Sequence, residues 1–103
     1  MNKKRKNPDW DVKKTKSLFQ AILKLKTEEE CRKFFRDLMT LEEIQNISER
    51  WNAVLLLDEG KLSYREIAKK TGMSTTTVAR ISWWIRYGSG GYPLILKRVR
   101  KKK

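Results

Sequence analysis

Histidine is absent from this 103-residue chain, and cysteine occurs once, at Cys31. Without histidine the chain lacks the most common general base and metal ligand. No glycine-rich phosphate loop and no converging pair of carboxylates is recognisable. A lone cysteine cannot form an internal disulfide, which is typical of a reducing cytoplasm. We therefore expect a cytoplasmic protein that is not an enzyme and that holds no metal or cofactor.

Long apolar runs are also missing from the sequence. No segment approaches the roughly 18 to 20 apolar residues that a membrane-spanning helix requires. The basic N-terminus is not followed by the apolar stretch of a secretory signal. Strand-like alternation of useful length is absent too, whereas apolar residues recur at spacings of three and four. These patterns predict an all-α protein with no membrane partner.

Positive charge is abundant and unevenly placed. The formal net charge is +13, from 25 basic and 12 acidic residues. Residues 1–7 and 97–103 hold only basic charges, and residues 61–86 hold six basic side chains against Glu66. Residues 8–60, in contrast, hold more acidic than basic side chains. A basic surface of this kind favours binding to the phosphates of a nucleic acid.

The chain divides at helix-capping residues and glycines. We predict a flexible basic arm over residues 1–8, a helical domain over 9–96 and a basic tail over 97–103. The first helix is expected from about Asp9 to Lys26, and five more follow. Thr27, Thr40 and Ser63 each precede an acidic residue at capping-box spacing. The helix that contains Leu55–Leu57 is apolar almost all round, which predicts burial against a second subunit.

Residues 63–87 match a helix-turn-helix. Two helices that cross through a tight turn need a small residue where they meet and a flexible one at the turn, and Ala68 and Gly72 fit these places. Four apolar side chains at matching positions would fill the small core between the helices: Ile67, Met73, Val78 and Ile81. An ordinary helical hairpin is the alternative, but the basic charge of this segment favours DNA binding.

The second helix of this unit is expected to read DNA in the major groove. Thr75–Thr77 have short hydroxyl side chains that can bond to bases or phosphates, although they could also serve only as a helix cap. Arg80, one turn later, could reach a guanine or a phosphate. The predicted DNA-binding residues are Tyr64, Arg65, Lys69, Ser74, Thr75, Thr76, Thr77 and Arg80. Lys70 would add long-range electrostatic attraction.

Several short motifs of the chain are distinctive: Met39-Thr-Leu-Glu-Glu43, Leu56-Leu-Asp-Glu-Gly-Lys-Leu-Ser-Tyr-Arg-Glu-Ile67, Thr77-Val-Ala-Arg80, Glu30-Cys31, Phe34-Phe35 and Arg86-Tyr87-Gly88. Together they resemble the bacterial Trp repressor superfamily, in particular its YerC/YecD branch of TrpR-like proteins. The resemblance runs from about residue 17 to 99. It implies a six-helix fold, an intertwined homodimer, and repression of transcription from a palindromic site in double-stranded DNA.

The resemblance also implies a candidate ligand pocket. Thr40, Arg50 and Arg80 stand at positions that hold tryptophan in Trp repressor. However, Ile81 replaces a glycine that makes room for the indole, and Trp84 replaces a serine that helps bind the amino group. We therefore expect no response to tryptophan, and the sequence leaves open whether another small molecule is an effector.

Two structural expectations follow from these replacements. Without a ligand to clamp, Arg50 is expected to form an ion pair with an acidic side chain such as Glu49 or Asp58. Trp83 and Trp84 are adjacent and must face different directions on a helix. One is expected in the core and the other against a partner subunit or a ligand position.

Two other kinds of binding protein remain open. A basic RNA-associated or ribosome-associated protein could use the charged tails on phosphates, although RNA readers usually expose aromatic side chains, and here these fall on predicted core faces. The helix-turn-helix could also belong to a protein-interaction module that does not bind DNA.

Overall fold

In the computed structural model, residues 10–101 are described, and they form helices and no strand. The six helices in this range are α1 (Lys13–Ile22), α2 (Glu28–Leu38), α3 (Leu41–Glu59), α4 (Tyr64–Thr71), α5 (Thr75–Tyr87) and α6 (Gly91–Lys101). The all-α, six-helix prediction is confirmed. The chain divides after Thr40 into two compact units, the first with α1 and α2 and the second with α3 to α6.

The first unit consists of two amphipathic helices. At α1, the residue at the N-cap is Val12, which cannot cap with its side chain, and the helix ends at Ile22, earlier than the predicted Lys26. The predicted start at Asp9 lies outside the described residues. At α2, Thr27 caps as expected, because its Oγ1 accepts a hydrogen bond from the Glu30 N–H at 3.1 Å. No side chain of α1 or α2 is buried.

The second unit contains the hydrophobic core. Its fully or almost fully buried apolar residues come from all four helices: Ala53, Val54, Ile67, Val78, Ile81 and Leu96. Helix α3 packs against α4, α5 and α6, and α5 also packs against α4 and α6. Three of the four predicted helix-turn-helix core residues are completely buried, and Met73 is half-buried beside them. Helix α4 is thus held by α3 and α5, and α5 is held by α3, α4 and α6.

Local sequence determines where α4 begins and ends. Ser63 Oγ accepts from the Glu66 N–H at 3.1 Å, and the Glu66 carboxylate accepts from the Ser63 N–H at 2.8 Å, so the predicted capping box is present. Gly72 then adopts a left-handed conformation with φ of 79°. Only glycine enters this region without a Cβ penalty, which explains why the helix ends there.

Helix α6 extends further than the sequence predicts. It continues to Lys101, so most of residues 97–103, the expected basic tail, is helical. Its Leu96 is buried, and Arg100 Nε lies 3.6 Å from Asp58 Oδ2 on α3. The expected arm over residues 1–8 lies outside the part of the chain that the structure describes.

The predicted ion pair of Arg50 is not formed. Asp58 pairs with Arg100, and Glu49 Oε1 accepts a hydrogen bond from Asn52 Nδ2 at 3.4 Å. Arg50 has an exposed side chain and pairs with neither carboxylate. The packing of α6 on α3 brings Arg100 to Asp58, and residues so far apart in sequence could not be paired from local patterns.

Within residues 10–101, no helix is long and apolar enough to cross a membrane.

Candidate nucleic-acid interface

The N-terminal end of α5 is a polar, exposed surface. Ser74 Oγ accepts a hydrogen bond from the Thr77 N–H at 3.0 Å and so caps the helix. Ser74 Oγ also donates to Thr77 Oγ1 at 3.0 Å, and Thr77 is half-buried. Thr75 and Thr76 are exposed. Two of the four hydroxyl side chains therefore help to build the cap, and two face outward.

Helix α5 has two distinct faces. Val78 and Ile81 are completely buried in the core, whereas Arg80 is exposed. Because burial of one face fixes the rotation of the helix, the exposed face is fixed as well. We refer to Ser74–Thr77 together with Arg80 as the α5 tip. The structure brings these five predicted residues together at one end of one helix.

The electrostatics around the α5 tip favour an anion. The first amide groups of a helix lack intrahelical acceptors and have a partial positive charge. No acidic residue lies in the first turn of α5. On the preceding helix, Arg65, Lys69 and Lys70 are all exposed. The acidic residue on that helix, Glu66, uses its carboxylate at the Ser63 cap. Phosphate groups of a nucleic acid would be attracted to such a surface.

Tyr64, a predicted contact of the DNA backbone, has an additional role in the protein. Its side chain is 40% exposed, and its hydroxyl donates a hydrogen bond to Ser82 Oγ at 2.7 Å. Ser82 itself is 8% exposed. Sequence reasoning missed this contact, although Ser82 follows Val78 by four residues and so shares its inward face.

The candidate ligand-pocket positions lie in different surroundings. Trp84 borders an open cavity of about 910 Å³, but Arg50 and Arg80 do not border it. Ile81 is completely buried in the core. Thr40 is the last residue of the first unit. The cavity is lined by Trp51, Trp83, Trp84, Tyr87, Gly88, Ser89, Gly91, Tyr92 and Ile95.

The aromatic residues at the end of α5 differ from the prediction. Trp83 is 55% exposed and Trp84 37% exposed, so neither lies in the core of the chain. The Trp83 ring packs on Tyr87, with 5.2 Å between the ring centres, and Tyr87 is 64% exposed. Residues Val78, Ile81 and Ser82 occupy the buried face of α5, and the two tryptophans fall on either side of it. The expectation that aromatic residues lie on core faces was wrong for this end of α5.

Comparison with known proteins gives consistent matches. A family model described as Trp repressor protein matches residues 13–100. The chain is 40% identical over 89 residues to YerC of Bacillus subtilis, and this alignment covers 86% of this chain and 85% of YerC. It is 35% identical over 66 residues to a Trp operon repressor homolog of Chlamydia trachomatis, and this alignment covers 60% of this chain and 70% of the homolog.

The fold comparison agrees with the sequence comparison. The crystal structure of a TrpR like protein from Eubacterium eligens superposes with a TM-score of 0.82 at 38% identity, covering 90% of this chain and 95% of that one. A crystal structure from Staphylococcus aureus gives a TM-score of 0.75 at 36% identity, covering 86% and 88%. The chain therefore belongs to the Trp repressor family, which is a family of regulators and not of enzymes, as its sequence predicts.

Proposed function

We propose that this protein is a cytoplasmic transcriptional regulator, a repressor, that binds a specific site in double-stranded DNA. Helices α4 and α5 form the helix-turn-helix, and the α5 tip enters the major groove. The observation that supports this proposal best is the division of α5 into a buried face with Val78 and Ile81 and an exposed face with Thr76 and Arg80. Membership of the Trp repressor family supports DNA binding independently.

The proposed contacts differ along the α5 tip. Thr75 and Thr76 approach base edges, where their hydroxyls can donate or accept and their methyl groups can touch thymine. Arg80 lies one turn further on and bonds to a guanine or a phosphate. Ser74 and Thr77 hold the N-terminal amides of α5 in place for a phosphate. Arg65 and Lys69 of α4 engage the DNA backbone.

The experiment that tests this proposal begins with selection of bound sequences from a random duplex library by the purified protein. Mobility shifts then compare a selected 30-base-pair duplex, an unrelated duplex and a structured RNA across a salt series. We expect the selected duplex to bind at least about a thousandfold more tightly than the unrelated one, the lower end for specific DNA-binding proteins. Thr76→Ala and Arg80→Ala should each weaken binding to the selected duplex by roughly 10- to 100-fold.

Arg86→Ala is the matched control for this experiment. It removes the same charge from an exposed position on the same helix, about 9 Å further along its axis than Arg80. We expect it to change the affinity for the selected duplex much less than Arg80→Ala does. Equal losses from both substitutions, or equal binding to every duplex, would show that charge alone drives binding and would refute the proposal.

We propose that the acting form is a homodimer. Helices α1 and α2 bury none of their side chains, and Leu23 and Leu38 are 81% and 47% exposed. The cavity in the second unit exposes a further set of aromatic side chains. Clustered exposed apolar side chains often mark a contact between proteins, and a second copy would cover them. Two copies would also present two α5 tips, which matches a palindromic DNA site.

Sedimentation equilibrium tests the homodimer. We expect twice the mass of 12.3 kDa for the wild-type protein. Trp83→Glu places a charge on the exposed aromatic surface and should shift the equilibrium toward the monomer, whereas Arg86→Ala should not. A monomer at all concentrations would refute the homodimer while leaving DNA binding to be judged by the mobility shifts.

We further propose that tryptophan does not regulate this protein. Ile81 is completely buried in the core, and of the residues Arg50, Arg80 and Trp84 only Trp84 borders the cavity of the second unit. Added tryptophan should therefore leave the affinity for the selected duplex unchanged. A severalfold increase in affinity with tryptophan would refute this point.

RNA binding is the second candidate function, because Trp83 and Tyr87 are exposed and could stack on unpaired bases. It predicts that the structured RNA competes with the selected duplex and that Trp83→Ala abolishes RNA binding while Thr76→Ala does not. Binding to neither nucleic acid would favour a protein-interaction module.

A further inference from the structure

A single hydrogen bond ties the start of α4 to the middle of α5. The hydroxyl of Tyr64, the first residue of α4, donates to Ser82 Oγ at 2.7 Å across 18 residues of sequence. This distance is typical of a good O–H···O bond. Ser82 is almost completely buried, so its hydroxyl faces the helix-turn-helix and not a ligand from outside.

The other contacts between α4 and α5 are of a different kind. Ile67 of α4 and Val78 and Ile81 of α5 are buried apolar side chains. Packing of such side chains favours certain crossing angles between helices, but with a scatter of about 15 to 20°. A hydrogen bond depends steeply on distance and angle. The Tyr64–Ser82 bond therefore adds a directional restraint to an apolar contact.

Because Ser82 lies far from the α5 tip along the helix, a small change in the angle of α5 at Ser82 moves the tip by a large distance. Ser82 lies seven residues after Thr75, which is about 10 Å along the helix axis. If α5 tilted by about 10° around Ser82, Thr75 would move by roughly 2 Å. Short threonine side chains cannot compensate for such a shift, because a hydrogen bond to a base edge tolerates only a few tenths of an ångström.

We propose that Tyr64 is a positioning residue, which fixes the angle of α5 for base readout through its hydrogen bond to Ser82. This inference rests on the proposed function. Tyr64 then has an indirect role in DNA binding, since its hydroxyl proton is donated inside the protein. The buried Ser82 joins the residues that determine sequence specificity. Contacts to phosphates are less sensitive to the angle of α5, so non-specific binding does not depend on this pair.

The test uses the full chain and the duplex selected by the wild-type protein. Affinities for the selected duplex and for an unrelated duplex of the same length are measured for Tyr64→Phe, Ser82→Ala and the double variant. We expect each single variant to bind the selected duplex about three- to tenfold more weakly, the range that one net hydrogen bond supports. Binding to the unrelated duplex should not change. The double variant should be no weaker than either single variant, because both remove the same bond.

Tyr87→Phe is the matched control, since it removes a phenol hydroxyl at the other end of α5 but keeps the ring that packs on Trp83, and it should leave the affinity for both duplexes unchanged. Ser82 is too buried to contact DNA, so a wild-type affinity in Ser82→Ala would overturn the inference. Weaker binding by Tyr64→Phe alone would then indicate that Tyr64 contacts DNA directly. Equal weakening on both duplexes would overturn it as well. If the wild-type protein selects no duplex, the proposed function fails and this inference fails with it.

Discussion

Replacing Gly72 by alanine isolates the backbone cost of the turn between α4 and α5. Gly72 has φ of 79° and ψ of 5°, and a Cβ added there would meet no atom within 4 Å. The cost is therefore conformational and not steric. The left-handed region costs an L-residue about 1 to 2 kcal/mol. Alanine also reduces the conformational entropy of the unfolded chain, which stabilises the folded state by about 0.4 to 1 kcal/mol. We expect a net loss of about 1 kcal/mol in the free energy of unfolding.

Asparagine should be tolerated better than alanine at this position. Its short polar side chain can hydrogen-bond locally in the left-handed region, and it occurs there more often than other non-glycine residues. The expected order of stability is wild type, Gly72→Asn, Gly72→Ala. Thermal unfolding followed by circular dichroism, at one fixed protein concentration, would resolve the order. A loss of 1 kcal/mol corresponds to a fall of roughly 4 to 8 °C in Tm for a domain of this size.

Two other glycines provide controls for this reasoning. Gly60 has φ of 72° and open space around its missing Cβ, so Gly60→Ala should cost about as much as Gly72→Ala. Gly88 differs, since a Cβ there would lie 2.5 Å from the backbone oxygen of Trp84. Gly88→Ala should destabilise through this clash, and asparagine should not relieve it. The explanation is wrong if Gly72→Ala is as stable as the wild type, or if asparagine is worse than alanine at Gly72.

Three further predictions concern the second unit. Ser63→Ala removes the capping box of α4 and should lower the free energy of unfolding by about 1 kcal/mol, measured by urea denaturation; Ser63→Asp should retain most of it. Ile67→Ala should cost roughly 2 to 5 kcal/mol, because Ile67 is completely buried at the contact of α4 with α5, and a loss below 1 kcal/mol would contradict this packing. Asp58→Asn should cost less than about 1 kcal/mol and less still at high salt, because Arg100 is largely exposed; a larger loss would show that the pair is shielded from solvent.

The local features of this fold could be predicted from the sequence. Ser63 and Gly72 bound α4 as expected, because a cap and a left-handed turn depend on residues a few positions apart. The spacing of Ile67, Val78 and Ile81 likewise identified the core of the helix-turn-helix, since helical periodicity determines which side chains share a face.

Contacts between distant segments could not be predicted in this way. The pairing of Asp58 with Arg100 depends on where α6 packs on α3, and the bond from Tyr64 to Ser82 depends on the angle between α4 and α5. The exposure of Trp83 was missed for a related reason. Hydrophobicity indicates that a side chain gains by leaving water, but it does not indicate whether the fold of the chain covers that side chain.

The two helices of the first unit have a consequence for how the protein accumulates in a cell. They are 10 and 11 residues long and bury none of their side chains. Peptide helices of this length are marginal in water on their own. If a second copy provides the contacts that α1 and α2 lack, these helices would be only partly formed in a newly made chain until two chains associate. Proteolysis would then remove the protein fastest when few copies exist, so that a small fall in synthesis produces a larger fall in the active pool.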